Sequence, residues 1–498
     1  MTKKSRTILF FILTGLFLTI APGIALYSWG YRFDIDSKKI VQTGAFYFKV
    51  VPRSAQVYLE GKQIKRTDFF FGAVLIENLL PKKYEVEIKK DGFYPWRKTL
   101  EIKERGVTDA KNIVLVPQNP EFSILTKKAE NLFFSPDGKK VVLKETSEDG
   151  WALKLLELER NVKSHLVAKK DILKTEVSIF DLNFSSDSKR ILLKTGSKEK
   201  LKYTLIDLEK SPIVLVFLDF LGENTEDVFF HPTDGQKLFL LKNGDVFEAD
   251  LFQKKISPKI LENIKSFQVF NKDIYYLLDS GPDVGFLFKT DFSFSGREKI
   301  NKNSFSLNGD EKYKIYVFSD KIFLQDERNL YLFNPDLNDF EKFFETTREP
   351  EISSDFKKIV YYSDYEIWIL FLKDEFSQPQ KSAGEREFLA RFSEKIGNVF
   401  WLTGHYLIFN SGSKIKIAEI DDRDKINIVD LADFKDPEIF FNQSDKKLYI
   451  LIGSSGTKAK RTTFSSSPSL LLRKSSVGEE ERIFLEWGNL YSSEKIVP

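Results

Sequence analysis

The chain has 498 residues, 42% of them hydrophobic, 30% charged and 14% aromatic, with 47 Phe and 18 Tyr. That excludes a disordered chain and points to several folded units or one long repeat fold, with a bias toward strands, where aromatic rings fit a half-buried pleated surface. A net charge of +3 gives no electrostatic footprint for nucleic acid, and the absence of cysteine excludes disulfides, thiolate metal sites and cysteine nucleophiles.

Residues 1–6 form a short basic tail carrying Lys3, Lys4 and Arg6. From Thr7 to Tyr31 no residue is charged, and a helix of that length crosses a hydrocarbon core of about 30 Å. Tyr27, Trp29 and Tyr31 gather at its far end, where aromatic rings favour the headgroup zone. We therefore expect a transmembrane signal-anchor over 7–31, bent or interrupted at Pro22-Gly23. The competing reading is a signal peptide cut after Ala25, at the small-residue site Gly23-Ile24-Ala25. Basic residues before the span are nearly balanced by Arg32, Lys38 and Lys39 after it. Long C-terminal domains translocate largely regardless of charge, so the expected topology is a single pass in the cell membrane with an extracytoplasmic body. Residues 32–43 read as a linker.

Over 44–118 short alternating segments predict a small β-sandwich: 45–51 stopped by Pro52, then 56–60, 73–77, 84–89, 99–102 and 113–116, with turns at Gly61-Lys62 and Asp91-Gly92. The succession Pro52-Arg53-Ser54-Ala55, Val57-Tyr58-Leu59-Glu60-Gly61-Lys62, Leu79-Leu80-Pro81 and Lys90-Asp91-Gly92-Phe93 resembles the PEGA domain. The motif that names that family keeps only its first and last letters here. The resemblance implies a bacterial envelope-associated spacer or interaction module rather than a catalyst.

From 119 to 490 one cassette recurs, an apolar strand, a Ser/Asp/Gly turn with a polar residue, and a second apolar strand. Its clearest copies are 132–143, 182–193, 228–239, 351–360 and 439–449, with weaker ones near 267–273, 305–310 and 399–404. The spacing from Asp137 to Asp445 over seven intervals gives a period of about 44 residues, the length of a four-stranded propeller blade. The turn aspartates read as turn formers, since Asp bonds its own backbone and Pro and Gly set the flanking dihedrals. Ser135-Pro136-Asp137-Gly138-Lys139 resembles the signature of TolB-like, PD40 propellers of the WD40 type. The count gives eight blades, with seven as the alternative. Residues 121–127 resemble a fourth strand and are expected to complete the last blade. A mobile insertion is expected over Gly453–Ser476, and 491–498 reads as a C-terminal tail.

The fold class expected is therefore all-β: an N-terminal transmembrane helix, a small sandwich, then a propeller. No nucleophile elbow, Walker A loop, dinucleotide fingerprint or H-E-x-x-H occurs. His165, His231 and His405 are scattered and read as loop or strand-edge residues. Asp421, Asp422 and Asp424 lack the Gly and distal Glu of a calcium loop and read as a hairpin turn. No residue is assigned a catalytic, cofactor-binding or metal-binding role, no cofactor is expected, and the binding surface is unassigned. The functional expectation is a non-enzymatic, membrane-anchored interaction or scaffold protein whose propeller binds a protein or a cell-envelope polymer. Two alternatives stand beside it: a glycan hydrolase or lyase using carboxylates in the propeller funnel, and a structural cell-surface component.

Overall fold

The computed structural model describes residues 3–35, 38–147, 150–172, 178–196, 200–222, 224–308, 311–453, 469–470 and 488–497. An α-helix covers Lys3–Ser28 and runs without a break through Pro22, so the expected interruption is not seen. Its apolar side chains, among them Phe10, Phe11, Phe17 and Leu18, are exposed along its length. The segment Lys4–Ser28 is long and apolar enough to cross a membrane. The expected linker instead forms a hairpin, Tyr31–Asp34 with Lys39–Gln42. It ties the helix to the next unit: Arg32 donates to Asn78 Oδ1 at 2.9 Å and Arg105 to the Tyr31 hydroxyl at 3.1 Å.

The small unit is a two-sheet sandwich. One sheet has Gly44–Val51 at its centre, antiparallel to Ala73–Leu79 and parallel to Val107–Val114. The other runs in the order Lys62–Arg66, Gln56–Leu59, Lys83–Lys89, Trp96–Glu101. Alternation in sequence becomes alternation in burial: Tyr84, Val86 and Ile88 point inward with Phe46, Phe48, Val57, Trp96 and Leu100 to form one core. The strand Lys62–Arg66, exposed at every residue, carries no apolar alternation and has no counterpart among the strands expected from sequence.

The remaining strands form a β-propeller. Antiparallel meanders cover 178–217, 227–256, 264–299, 314–345, 351–391 and 396–433, each a separate sheet. A seven-stranded sheet contains two further meanders that share the strand Phe122–Phe134. The second half of that strand pairs with Lys140–Ser147, while its first half pairs with Gly488–Lys495. The segment 121–127 thus completes the last meander, as its resemblance to a fourth strand predicts. Two expectations are corrected. The tail expected at 491–498 is part of the strand Gly488–Lys495, followed by buried Ile496 and Val497. Its polar sequence hides this because Ser492 and Ser493 are buried with their hydroxyls bonded, Ser493 Oγ accepting from Leu448 N at 2.9 Å. The cassette placed near 305–310 is also displaced. Phe305–Ser306 pairs with Val284–Gly285 of the preceding sheet, and the true inner strand is Lys314–Phe318. The insertion expected over Gly453–Ser476 lies outside the described residues apart from Gly453 and Ser469–Leu470, and the latter pair with Phe267–Gln268.

The cassette turns share one bonding scheme. In Ser135–Asp137, Ser185–Asp187 and Ser353–Asp355 the serine hydroxyl donates to the aspartate at 2.5–2.6 Å. The same carboxylate oxygen accepts the N–H two residues on, at 3.0–3.1 Å. The serine oxygen also accepts an N–H from the second strand at 2.9–3.0 Å. His231 takes the serine's place in a fourth copy, its Nδ1 accepting from Asp234 N at 3.0 Å. Turns are then laced to their neighbours around the ring. Asn442 Nδ2 donates to Gly138 O at 2.9 Å, Asp137 N to Ser188 Oγ at 3.1 Å, and Trp401 Nε1 to Glu351 O at 2.9 Å.

Candidate functional site

Because first-to-second and third-to-fourth strand turns of a meander lie at the same end, the laced turns define one face of the propeller. Two features meet on it. The first is a cavity of about 410 Å³ at the mouth of the ring, bounded by the turns 136–138, 351–356 and 441–444 and by Phe400 and Trp401. Its apolar wall includes Ile352, Phe356, Phe400 and Phe441, and Phe356 is 52% exposed. Backbone and amide groups of Asn442, Gln443, Ser353 and Ser354 supply polar points along the rim. An apolar cavity with a few fixed polar groups is the usual form of a binding site.

The second feature is the junction where the sandwich stands on this face. Lys98, with its side chain fully buried, donates to Glu419 Oε1 at 2.8 Å, to Asp421 O at 2.6 Å and to Lys425 O at 3.0 Å. Glu419 also accepts from Trp96 Nε1 at 2.6 Å and from Asn427 Nδ2 at 2.7 Å. Burial pushes its carboxyl above the ordinary value, while Lys98 and these donors draw it back. Tyr94, Thr99 and Asp109 add further bonds to Asp430, Asp424 and Arg423. A void of about 40 Å³, room for a water molecule, remains at the junction, with Glu375, Lys381, His405 and Tyr406 on its wall.

Between junction and mouth lies a cluster of charged groups. Donor atoms of Asp355, Glu375 and His405 lie within 4.8 Å of one another, a set able to bind a divalent ion. Lys358, fully buried, already places an ammonium 2.9 Å from Asp355 and 3.7 Å from Glu375. Unit charges about 4 Å apart interact with roughly 4 kcal/mol at an effective dielectric of 20, so a metal would meet strong repulsion there. Burial, and then the same lysine, lower the His405 pKa to about 4, leaving the imidazole neutral near pH 7. Beside the cluster Glu387 is only 6% exposed, with the Lys381 ammonium 3.2 Å from Oε2; burial raises its pKa to about 7, against the pull of that lysine.

Of the residues weighed in sequence, His165 lies on an exposed strand 3.3 Å from Asp171, His231 is the turn residue described above, and only His405 joins the site. Asp421 and Asp424 do occupy a turn between strands, and that turn grips the sandwich through Lys98 and Thr99. Sequence reasoning missed the junction altogether; the one local signal for Lys98 was a lysine at an inward position of an otherwise alternating strand, Trp96–Glu101.

No family model and no curated protein matches the sequence. Among solved structures, a eukaryotic initiation factor is 14% identical over 70% of this chain and 88% of its own, with a TM-score of 0.45. The Dos1 propeller is 13% identical over 67% and 92%, with a TM-score of 0.42. An oligogalacturonate lyase from Vibrio parahaemolyticus is 12% identical over 75% and 93%, with a TM-score of 0.39. Likeness at this level transfers no activity. By its own sheets the chain is a β-propeller protein, with a docked β-sandwich and an apolar N-terminal helix.

Proposed function

We propose that this chain is a membrane-anchored, extracytoplasmic scaffold of the cell envelope, in which a PEGA-like sandwich holds an eight-bladed, TolB-like propeller whose turn-face mouth docks a partner protein. The observation that carries the reading is the mouth cavity, where exposed Phe356 and the neighbouring Ile352, Phe400 and Phe441 offer an apolar seat for a partner's side chain. A carboxylate-driven reaction on a glycan is less well supported, because two of the aspartates in the turns at this mouth are engaged in holding those turns. Asp137 Oδ1 is bonded by Ser135 and Lys139, and Asp355 by Ser353, Lys357 and Lys358.

The test is a pulldown from detergent-solubilised membranes with the full chain and with Phe356→Asp. The expected result is a stoichiometric protein retained by the parent and lost with the variant. Retention of an envelope polymer instead would reassign the partner's chemistry. Equal capture by both chains would remove the mouth from the reading.

A further inference from the structure

Phe69, Phe70 and Phe71 are consecutive and are 73%, 72% and 75% exposed. They occupy the loop between Lys62–Arg66 and Ala73–Leu79, and that loop is held rigidly. The Asp68 carboxylate accepts from the N–H groups of Phe70, Phe71 and Ala73 at 2.6–2.8 Å, and Asp68 N donates to Ala73 O at 2.8 Å. Gly72 closes the turn at a φ of +68°, where a Cβ would lie 2.3 Å from the Val50 carbonyl oxygen. These bonds fix the backbone of the loop, and in that conformation the three rings stand exposed.

The surroundings of the loop are cationic. Lys62, Lys65 and Arg66 belong to the fully exposed strand beside it, together with Ile64 at 45% exposure, and no acidic residue interrupts that strand. In the sheet order this strand is the edge opposite Trp96–Glu101, the strand that docks on the propeller. The aromatic and basic edge therefore faces away from the propeller. The strand that follows the apolar helix, Tyr31–Asp34, is tied through Arg32 to Asn78, at the other end of the strand that leaves the loop. Six residue steps separate Ala73 from Leu79, so the loop stays within about 20 Å of that tie.

We propose that this edge lies against the surface of the bilayer that holds the helix, with the three phenyl rings in the headgroup–acyl boundary and Lys62, Lys65 and Arg66 facing anionic headgroups. Two properties favour a lipid surface over a protein partner. Three rings with flanking lysine and arginine match an interface that is apolar below and anionic above, and the tether keeps the loop beside a bilayer at high effective concentration. Asp68 does not oppose this, since its charge is committed to backbone N–H groups, which hold its pKa below the ordinary value. The proposal rests on the helix being a membrane anchor, and its test reports on the two separately.

The chain has no cysteine, so single cysteines can carry a nitroxide in the full-length protein reconstituted into vesicles. Phe70→Cys reports on the loop, Phe17→Cys on the helix, and Phe252→Cys, at an 87% exposed propeller position, on water. Collision with oxygen, which enriches in lipid, is compared with collision with a water-soluble nickel chelate. We expect the oxygen-to-nickel ratio at position 70 to exceed that at 252 several-fold in phosphatidylserine-containing vesicles, and to fall when Lys62, Lys65 and Arg66 are replaced by Gln. A position 70 as open to nickel as position 252, with position 17 buried in lipid, would overturn the proposal and leave the anchor standing. If position 17 also meets nickel, the anchor is wrong and the proposal falls with it. Identical ratios in neutral and anionic vesicles would overturn the role of the basic strand.

Discussion

Replacing Lys98 by Met tests whether the sandwich and the propeller are one rigid body. In the parent all three ammonium protons are used, on Glu419, Asp421 O and Lys425 O, and Glu419 receives three further bonds from Trp96 and Asn427. The side chains of Lys98 and Glu419 are 0% and 3% exposed, so water does not substitute for either partner. Removing the ammonium alone leaves a buried carboxylate without its counter-charge and two carbonyls without a donor. Breaking such a pair costs about 3–5 kcal/mol, whereas replacing both ions with apolar groups is often close to neutral. Lys98→Met with Glu419→Leu removes the unpaired carboxylate but strands three donors of Trp96 and Asn427 at roughly 1 kcal/mol each, so the double variant should recover at most about 2 kcal/mol of the single variant's loss. The assay is urea unfolding in detergent, followed by tryptophan fluorescence, which senses Trp96 at the joint, and by protease cleavage near 117–121. Lys98→Met should produce an early transition in which the connection between the two units becomes cleavable. A loss below about 1 kcal/mol with the connection still protected would refute the rigid docking.

His405 supplies a pH dependence. Its pKa is depressed to about 4 in the folded chain, so its contribution is fully present above the ordinary value of 6.5 and is lost as pH falls from there through 4; His405→Asn should flatten that limb of a stability–pH curve. Glu387 acts in the opposite sense, because its pKa is raised to about 7, so stability present below 4.5 is lost as pH rises through 7. Glu387→Gln should therefore exceed the parent by on the order of 3 kcal/mol at pH 8 and by little at pH 4, as measured by chemical denaturation. At the ring closure Gly138→Ala should cost more than about 1 kcal/mol, since φ is +66° and the new Cβ would sit 2.6 Å from Asn442 Oδ1, an effect read as a lowered Tm.

Where local chemistry and local structure coincide, the sequence was easily read. Period-two alternation in 84–89 became one strand with its apolar side in the core, and the Ser-Pro-Asp-Gly turn formed where its residues stand. Reading failed where a local signal was absent or misleading. Asn308-Gly309-Asp310 looks in sequence like a cassette turn, yet the turn that joins the first two strands of that meander is Ser319-Asp320, where Ser319 adopts a φ of +57° with no glycine to announce it. Tyr491-Ser492-Ser493 looks like a tail because its polar groups are paid for by partners far away in sequence. The candidate site was legible only in its parts: Asp355 as a turn former, His405 as a loop residue. Their approach to Lys358 and Glu375, and the meeting of Lys98 with Glu419, follow from ring closure and docking, which leave no periodic trace.

The shared strand Phe122–Phe134 has a consequence for the order of assembly. Ser123 and Ser492, whose hydroxyls meet at 3.2 Å across the closure, are 369 residues apart in the chain. The first propeller strand made is therefore the last to find its full set of neighbours, and during synthesis half of it waits as an unpaired edge. Closing a loop of that length costs little more entropy than closing one half as long. What the wait exposes is a strand edge before the ring closes. The ring is thus a structure that snaps shut once, at the end, and a break near either terminus should be felt as failure to mature rather than as a local defect.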